Sequence, residues 1–325
     1  MNNKKFITSS SIKLWPKLGM RASFGLMALE LAKIDDQLLI ITGDVSTSAG
    51  LDRFRKKYPE KYIDVGIAEQ NLLGIAAGLA SEGHNVITAT FAPFQTARCL
   101  EQIKVNLGYM NQKVCMIGLA SGLVLGTLGY THCCIEDLGI LRSIPNIDVV
   151  SPADTTELAK ALEAFYLSKN SMYIRLTGGS NIPLIFNEDY NFSLGKSSTL
   201  KVGKDIAILS TGTMLSVAME TANLIQKSNL SAEVINIHTI KPIDANKIIE
   251  CGKKFNYIAT IEEHNIIGGL GSAVAECLTS SGGTAKQLFY GINDKYSDGG
   301  EYKYLLKKFK STAEDISKSI NDTIK

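Results

Sequence analysis

The chain has 325 residues, of which 45% are hydrophobic and 20% are charged. This composition supplies enough apolar side chains for a packed core, and it excludes a wholly disordered chain. The formal net charge of +2 is also unlike that of a strongly basic nucleic-acid binder. At ~150 residues per domain, the length predicts two domains.

The distribution of apolar residues and cysteines bears on the cellular compartment of the protein. No apolar run approaches the ~20 residues of a membrane helix, and the N-terminus lacks the apolar segment of a signal peptide. The six cysteines form no CxxC pair and the four histidines are scattered, so no metal motif is present in the sequence. We therefore expect a cytoplasmic protein with no membrane contact and no metal held by this chain alone.

Short apolar runs alternate with helix-length stretches along the first 180 residues. The predicted strands cover 37–43, 62–67, 85–91, 114–120, 148–151 and 172–176. The predicted helices cover 19–33, 69–81, 95–109, 135–143 and 155–168. Nearly continuous apolar strands that alternate with helices indicate a parallel sheet covered on both faces.

A stretch rich in Gly, Ser, Asn and charge at 178–204 interrupts this pattern and predicts a boundary. The alternation then resumes, with strands predicted at 205–211, 232–240, 257–263 and 287–291 and helices near 214–227, 244–254, 270–280 and within 300–321. We predict an α/β fold of two consecutive units with mainly parallel sheets covered by helices. The predicted bounds are 1–180 for the first unit, 181–203 for a linker and 204–325 for the second unit.

The most informative stretch is DVGIAEQNLLGIAAGLASEG at 64–83. Glu69 stands where a predicted strand gives way to a helix that is apolar on nearly every face, so this helix should be buried. A carboxylate that leads a buried helix is costly unless it has a partner. It is either stabilised by the helix dipole or a buried functional acid, and the spacing alone leaves both interpretations open.

This stretch resembles the pyrimidine-binding domain of the transketolase family of thiamine-diphosphate enzymes. Four further segments agree with the family in the same order, TFAPFQTARCLEQIKVNLGYMN at 90–111, THCCIEDLGILRSIPNIDVVSPAD at 131–154, TIKPID at 239–244 and IEEHNIIGGLGSAVAE at 261–276. The resemblance implies that the first unit has the pyrimidine-binding fold of thiamine-diphosphate enzymes. It implies that the second unit is a transketolase C-terminal domain.

The resemblance implies roles for residues at the cofactor. In the family, the glutamate that matches Glu69 hydrogen-bonds a ring nitrogen of the aminopyrimidine and promotes the tautomer that takes a proton from the thiazolium. Phe91 and Phe94 match positions that pack on this ring, although core packing also explains them. Asp44 matches an acid common at its strand end, and we expect it to bind the cofactor. Arg98 lies one helical turn beyond Phe94, and its role is left open.

The resemblance also implies roles at the substrate. His132 matches a histidine that faces the sugar, where a neutral imidazole can donate or accept hydrogen bonds. Arg21 matches an arginine that grips substrate phosphate, a task that suits the guanidinium, and Ser48 matches a serine beside it. We therefore expect Glu69 and His132 to be catalytic. A structural histidine and a surface arginine are the plain alternatives.

Three positions depart from the family pattern. Leu128 stands where the family has an aspartate, Ala120 stands where many members have a histidine, and Gly178 lies near the place of a second phosphate-binding arginine. Apolar replacements remove hydrogen bonds that discriminate between sugars. We expect substrates other than the ordinary pentose phosphates, such as deoxygenated, unphosphorylated or carrier-linked sugars, or a 2-oxo acid donor.

The sequence contains no GDG motif, which in this family is followed by NN and binds the diphosphate and Mg²⁺. The resemblance implies that a separate N-terminal chain carries this motif and holds most of the cofactor, in an α2β2 heterotetramer. The implied activity is transfer of a two-carbon ketol unit from a ketose to an aldose. Two alternatives are the beta subunit of a 2-oxo-acid dehydrogenase or acyl-transferring enzyme, and a non-catalytic regulatory subunit.

Overall fold

Two open sheets organise the chain in the computed structural model, which describes residues 9–179 and 182–324. The strands are β1 (Leu38–Thr42), β2 (Tyr62–Asp64), β3 (Asn85–Phe91), β4 (Val114–Leu119), β5 (Ile147–Val150), β6 (Ser171–Arg175), β7 (Ser198–Lys201), β8 (Ile206–Ser210), β9 (Ala232–Asn236), β10 (Thr239–Lys241), β11 (Tyr257–Asn265) and β12 (Lys286–Ile292). The first sheet has the order β10-β5-β6-β4-β3-β1-β2, and the second has the order β12-β11-β8-β9-β7. All pairs are parallel except β10 with β5 and β7 with β9, which confirms the predicted fold class.

Helices cover both faces of the first sheet. They are α1 (Ser9–Ala32), α2 (Asp52–Lys57), α3 (Glu69–Ser81), α4 (Ala92–Gln95), α5 (Leu100–Gln102), α6 (Asp137–Arg142) and α7 (Thr155–Leu167). Successive strand residues point to opposite faces, so that Ile117 packs in the core beneath α1 and α7 while Met116 packs in the core beneath α3. The single helix predicted over 95–109 is instead divided, with a 3-10 turn before α5 and a π-helical segment at Ile103–Tyr109 after it.

The second sheet is flanked by α8 (Met214–Gln226), α9 (Ala245–Lys254), α10 (Leu270–Ser280), α11 (Tyr302–Lys308) and α12 (Ala313–Ile324). Its edge strand β7 lies inside the stretch predicted as a linker and pairs with β9. The strand β7 has only four residues and is partly exposed, as is usual for an edge strand. It lacks the run of apolar residues by which a buried strand is recognised in a sequence. No helix among the described residues is both long enough and apolar enough to cross a bilayer.

The two sheets are joined through β10. The sequence predicts one strand over 232–240, but the structure divides it into β9 in the second sheet and β10 in the first. β10 pairs antiparallel with β5, and the Ser151 amide donates to the His238 carbonyl oxygen at 2.8 Å beside this pair. One continuous apolar core therefore includes Leu138 of α6 together with Leu209 of β8 and Leu270 of α10.

Candidate active site

The candidate residues follow the carboxyl ends of parallel strands. Asp44 comes after β1, Glu69 after β2, Phe91 ends β3 and Ala120 follows β4. Loops at this edge of an open parallel sheet are where α/β proteins usually bind ligands. The fold thus brings residues that are far apart in sequence to one side of the first sheet.

Glu69 is the first residue of α3 and is only 3% exposed. The turn before it needs Gly66, whose φ of 71° lies in the left-handed region that favours glycine. Arg98 donates from Nη1 to Glu69 Oε2 at 2.7 Å, and this arginine is itself 42% exposed. Among the described residues, none donates a hydrogen bond to Glu69 Oε1. The buried carboxylate therefore has one oxygen engaged and one oxygen available to a ligand.

Three aromatic rings form a cluster that meets this ion pair at Phe94. The Phe94 ring centroid is 6.2 Å from that of Phe91 and 5.3 Å from that of His132, and both pairs are edge-to-face. The guanidinium carbon of Arg98 is 3.9 Å from the Phe94 centroid, a cation–π contact. A continuous chain of contacts therefore links Glu69, Arg98, Phe94, Phe91 and His132.

His132 lies in the loop between β4 and α6. Its Nδ1 is 2.9 Å from Thr131 Oγ1, and its amide donates to the Gly129 carbonyl oxygen at 3.0 Å. The ring is half-buried. The ring packs edge-to-face with the two phenylalanines and Thr131 engages Nδ1, so Nε2 is the ring atom through which a ligand would be recognised.

Arg21 and Ser48 lie together in a different part of the same edge. Arg21 donates from Nη1 to the Ser48 carbonyl oxygen at 3.4 Å. Both line a cleft of about 460 Å³ together with Ala120 and Gly178, two of the positions where polar groups are expected in the family. Leu128, the third such position, is 56% exposed and is not among the described residues that line this cleft.

Asp44 is exposed and has a φ of 57°. Its amide donates to Asp64 Oδ1 at 3.0 Å, and the Gly66 amide donates to the same atom at 2.9 Å. Burial acts to raise the pKa of Asp64, but the hydrogen bonds outweigh it and lower this pKa below its ordinary value. Asp44 and Ser48 line the same small cavity, which also includes Asp64 at the end of β2.

Arg175 lies close in sequence to Gly178, where the second phosphate-binding arginine is expected. It is instead almost completely buried, and its Nε donates to Asp137 Oδ2 at 2.8 Å. Burial acts to raise the pKa of Asp137, but Arg175, His264 and the Tyr173 hydroxyl together outweigh it and lower this pKa. Arg175 therefore forms an internal ion pair with Asp137 and does not line the cleft.

Two buried carboxylates of β11 were not identified as important from the sequence. Glu262 accepts hydrogen bonds from the amides of Leu270 and Gly271, at 2.7 and 2.8 Å, and so caps α10. Glu263 instead accepts from the Leu123 amide in the loop that carries His132. The signal was present in the run IATIEEH, because adjacent acids in an apolar strand must find buried donors.

Comparison with known proteins agrees with this architecture. The model of the transketolase pyrimidine-binding domain matches residues 16–180, and the model of the transketolase C-terminal domain matches residues 195–316. The chain belongs to the transketolase family. Its domain content is that of the C-terminal subunit of a split transketolase, as the sequence resemblance predicted.

Transketolase subunits are among the similar proteins. The 6-deoxy-6-sulfo-D-fructose transketolase subunit SqwH of Clostridium sp. (strain MSTE9) is 34% identical over 93% of this chain and 94% of its own length. An apulose-4-phosphate transketolase subunit of Phocaeicola vulgatus is 32% identical over 95% of this chain and 98% of its own length. A solved structure titled "Split gene transketolase, inactive beta4 tetramer" aligns with a TM-score of 0.84 and 32% identity over 94% of this chain and 98% of that chain.

Proposed function

We propose that this chain is the C-terminal subunit of a two-chain, thiamine-diphosphate-dependent transketolase. It transfers a two-carbon ketol unit from a ketose donor to an aldose acceptor, in the cytoplasm. The observation that carries the proposal is the buried Glu69 carboxylate, which has one free oxygen and is linked through Arg98 to the Phe94, Phe91 and His132 rings. The predicted bounds of 1–180 and 204–325 are proposed for the two units, with β7 of the predicted linker 181–203 added to the second sheet.

The residues present fit an aminopyrimidine. Glu69 Oε1 is the hydrogen-bonding atom assigned to the ring, and Phe91 and Phe94 supply the apolar contact that a flat heterocycle needs. Burial makes the Glu69 hydrogen bond strong, because water does not compete for it. When bound, thiamine diphosphate supplies the carbon nucleophile that receives the ketol unit.

The proposal assigns the diphosphate and Mg²⁺ to a partner chain with the GDG and NN motifs, because this sequence has no GDG. The assembly proposed is an α2β2 heterotetramer with the cofactor at the interface. The similar structure described as an inactive beta4 tetramer supports this division, because that chain is inactive in an assembly of its own kind. Asp44 would face the cofactor from the end of β1.

The substrate residues proposed are His132, Arg21 and Ser48. His132 Nε2 meets a substrate hydroxyl near the reacting carbons, since Nδ1 is engaged by Thr131. Arg21 provides a positive charge in the cleft for an anionic group of the sugar. Ala120 and Gly178 leave this cleft with fewer polar groups than the family pattern. The relatives named for 6-deoxy-6-sulfo-D-fructose and apulose 4-phosphate support a sugar outside the ordinary pentose phosphates.

The proposal is tested by mixing the purified chain with the proposed N-terminal partner chain that carries the GDG and NN motifs, thiamine diphosphate and Mg²⁺. We expect the pair to transfer a ketol unit from a panel of ketoses, including deoxy and sulfonated sugars, to aldoses, and each chain alone to be inactive. The assay is chromatography of the sugar products. Release of CO₂ from pyruvate by the pair, without ketol transfer, would contradict the proposal and favour a 2-oxo-acid enzyme.

A further inference from the structure

The loop that carries His132 is closed by a backbone bridge. We define the His132 loop as residues 120–135, between β4 and α6. The Gly122 amide donates to the Cys134 carbonyl oxygen at 2.8 Å, and the Cys134 amide donates to the Gly122 carbonyl oxygen at 2.9 Å. His132 is two residues from this bridge, so the position of the bridge sets the position of the imidazole.

Glu263 of the second sheet binds the residue that follows this bridge, because it accepts a hydrogen bond from the Leu123 amide. Its side chain is 2% exposed, and Oε1 accepts from the Leu123 amide at 2.7 Å while Oε2 accepts from the Tyr302 hydroxyl at 2.6 Å. Gly122 has a φ of 74°, and a Cβ there would lie 2.2 Å from Glu263 Oε1. Only glycine therefore permits this approach between the loop and the carboxylate.

The other arm of the loop contacts the same part of β11. Arg175 Nη2 donates to the carbonyl oxygens of Glu263 and Cys134, at 2.8 and 3.3 Å. The Asn265 amide donates to the Ile135 carbonyl oxygen at 2.8 Å. Both arms of the His132 loop are thus hydrogen-bonded to one strand of the C-terminal half, directly or through one arginine.

We propose that Glu263 is a positioning residue, which holds the His132 loop so that His132 is presented beside Phe91 and Phe94. The inference rests on the proposed function for its effect on turnover, but its structural part stands on the loop contacts alone. It gives the C-terminal half a part in the arrangement of the candidate site, although none of its described residues lines the cleft of that site.

Two donors facing Glu263 suit an ionised carboxylate. Burial raises the pKa of Glu263, and the hydrogen bonds from Tyr302 and Leu123 oppose that rise. A glutamine can keep both contacts, because its carbonyl oxygen accepts from Leu123 while its amide donates to a reoriented Tyr302 hydroxyl. An alanine loses both contacts and leaves the Leu123 amide buried without an acceptor.

The test compares Glu263→Ala, Glu263→Gln and Glu262→Ala in the full chain. Glu262 is the matched control, because it is an equally buried neighbour in the same strand but caps α10. The readout is the NMR signal of His132 in chain labelled with ¹³C at histidine Cε1, assigned with His132→Gln. Thermal unfolding measures the structural cost of each variant separately.

We expect Glu263→Ala to shift and broaden the His132 signal, Glu263→Gln to restore it, and Glu262→Ala to lower the Tm with this signal unchanged. With the partner chain present, kcat/KM should fall about 10- to 100-fold in Glu263→Ala.

If Glu263→Ala does not fold, Tyr302→Phe should still shift the His132 signal. An unchanged His132 signal in the folded Glu263 and Tyr302 variants, or the same change in Glu262→Ala, would overturn the inference. A shifted signal in an assembly whose wild type transfers no ketol unit would contradict the proposed function and leave the positioning role supported.

Discussion

At the scale of the residue, the site depends on polar groups buried with defined partners. Glu69 has Arg98, Glu263 has Leu123 and Tyr302, and the contacts are 2.6 to 2.7 Å long. The resemblance predicted Glu69 from its own sequence neighbourhood. It gave no role to Glu263, whose partner Leu123 lies 140 residues away, because periodicity and short motifs carry no information about such a contact.

His264 gives a prediction about pH at this scale. Its Nε2 accepts from the Gly139 amide at 3.3 Å, and its Nδ1 is 2.7 Å from the Asn265 carbonyl oxygen, so the buried ring is neutral with the proton on Nδ1. Burial lowers the pKa of His264 to about 4 from an ordinary value of 6.5, even though Asp137 at 3.9 Å acts in the opposite direction.

The folded pKa of His264 is depressed, so the unfolded chain takes up this proton first as the pH falls below 6.5. The stability that His264 contributes is complete above pH 6.5 and is lost as the pH falls towards 4. Between about pH 7 and pH 5 we expect the free energy of unfolding to fall by about 2 kcal/mol more in the wild type than in His264→Asn. Urea unfolding at the two pH values measures this, and equal falls in both proteins would show that the pKa of His264 is not depressed in the native state.

At the scale of the element, the sequence pattern identified the buried strands better than the edge strands. The strands β3, β4 and β8 are apolar enough to be predicted from composition. β7 lies inside a polar stretch, and β10 was joined to β9 because Ile235, Ile237 and Ile240 continue one apolar pattern through both strands. Whether an apolar run stays in one sheet depends on which core lies opposite it, and a local pattern does not contain that information.

β10 carries the prediction at this scale. Ile240 is 2% exposed and packs in the core that both sheets share, whereas Ile267 is 61% exposed. We expect Ile240→Ala to lower the free energy of unfolding by about 2–4 kcal/mol, because it leaves a cavity between the sheets. Ile267→Ala serves as the control in the same denaturant titration. Equal losses in the two variants would mean that β10 is not a structural junction.

At the scale of the whole molecule, the candidate site is assembled from distant parts of the chain. The first sheet supplies the residues that would face a cofactor, and the second sheet holds the loop that presents His132. In the proposed enzyme a partner chain adds the diphosphate site. The resemblance predicted the family and the fold, and both are confirmed, while the roles of the site residues stay predictions.

The measurement that tests the central claim most directly is turnover of Glu69→Gln in the assembled enzyme. The amide keeps the size of the side chain but removes the carboxylate that the proposal assigns to the aminopyrimidine. We expect ketol transfer to fall by about 100- to 10,000-fold, with the complex intact by size-exclusion chromatography. Glu101→Gln, an exposed glutamate on the neighbouring helix α5, should leave turnover unchanged. Turnover of Glu69→Gln close to that of the wild type would contradict the assignment of this chain as a catalytic transketolase subunit.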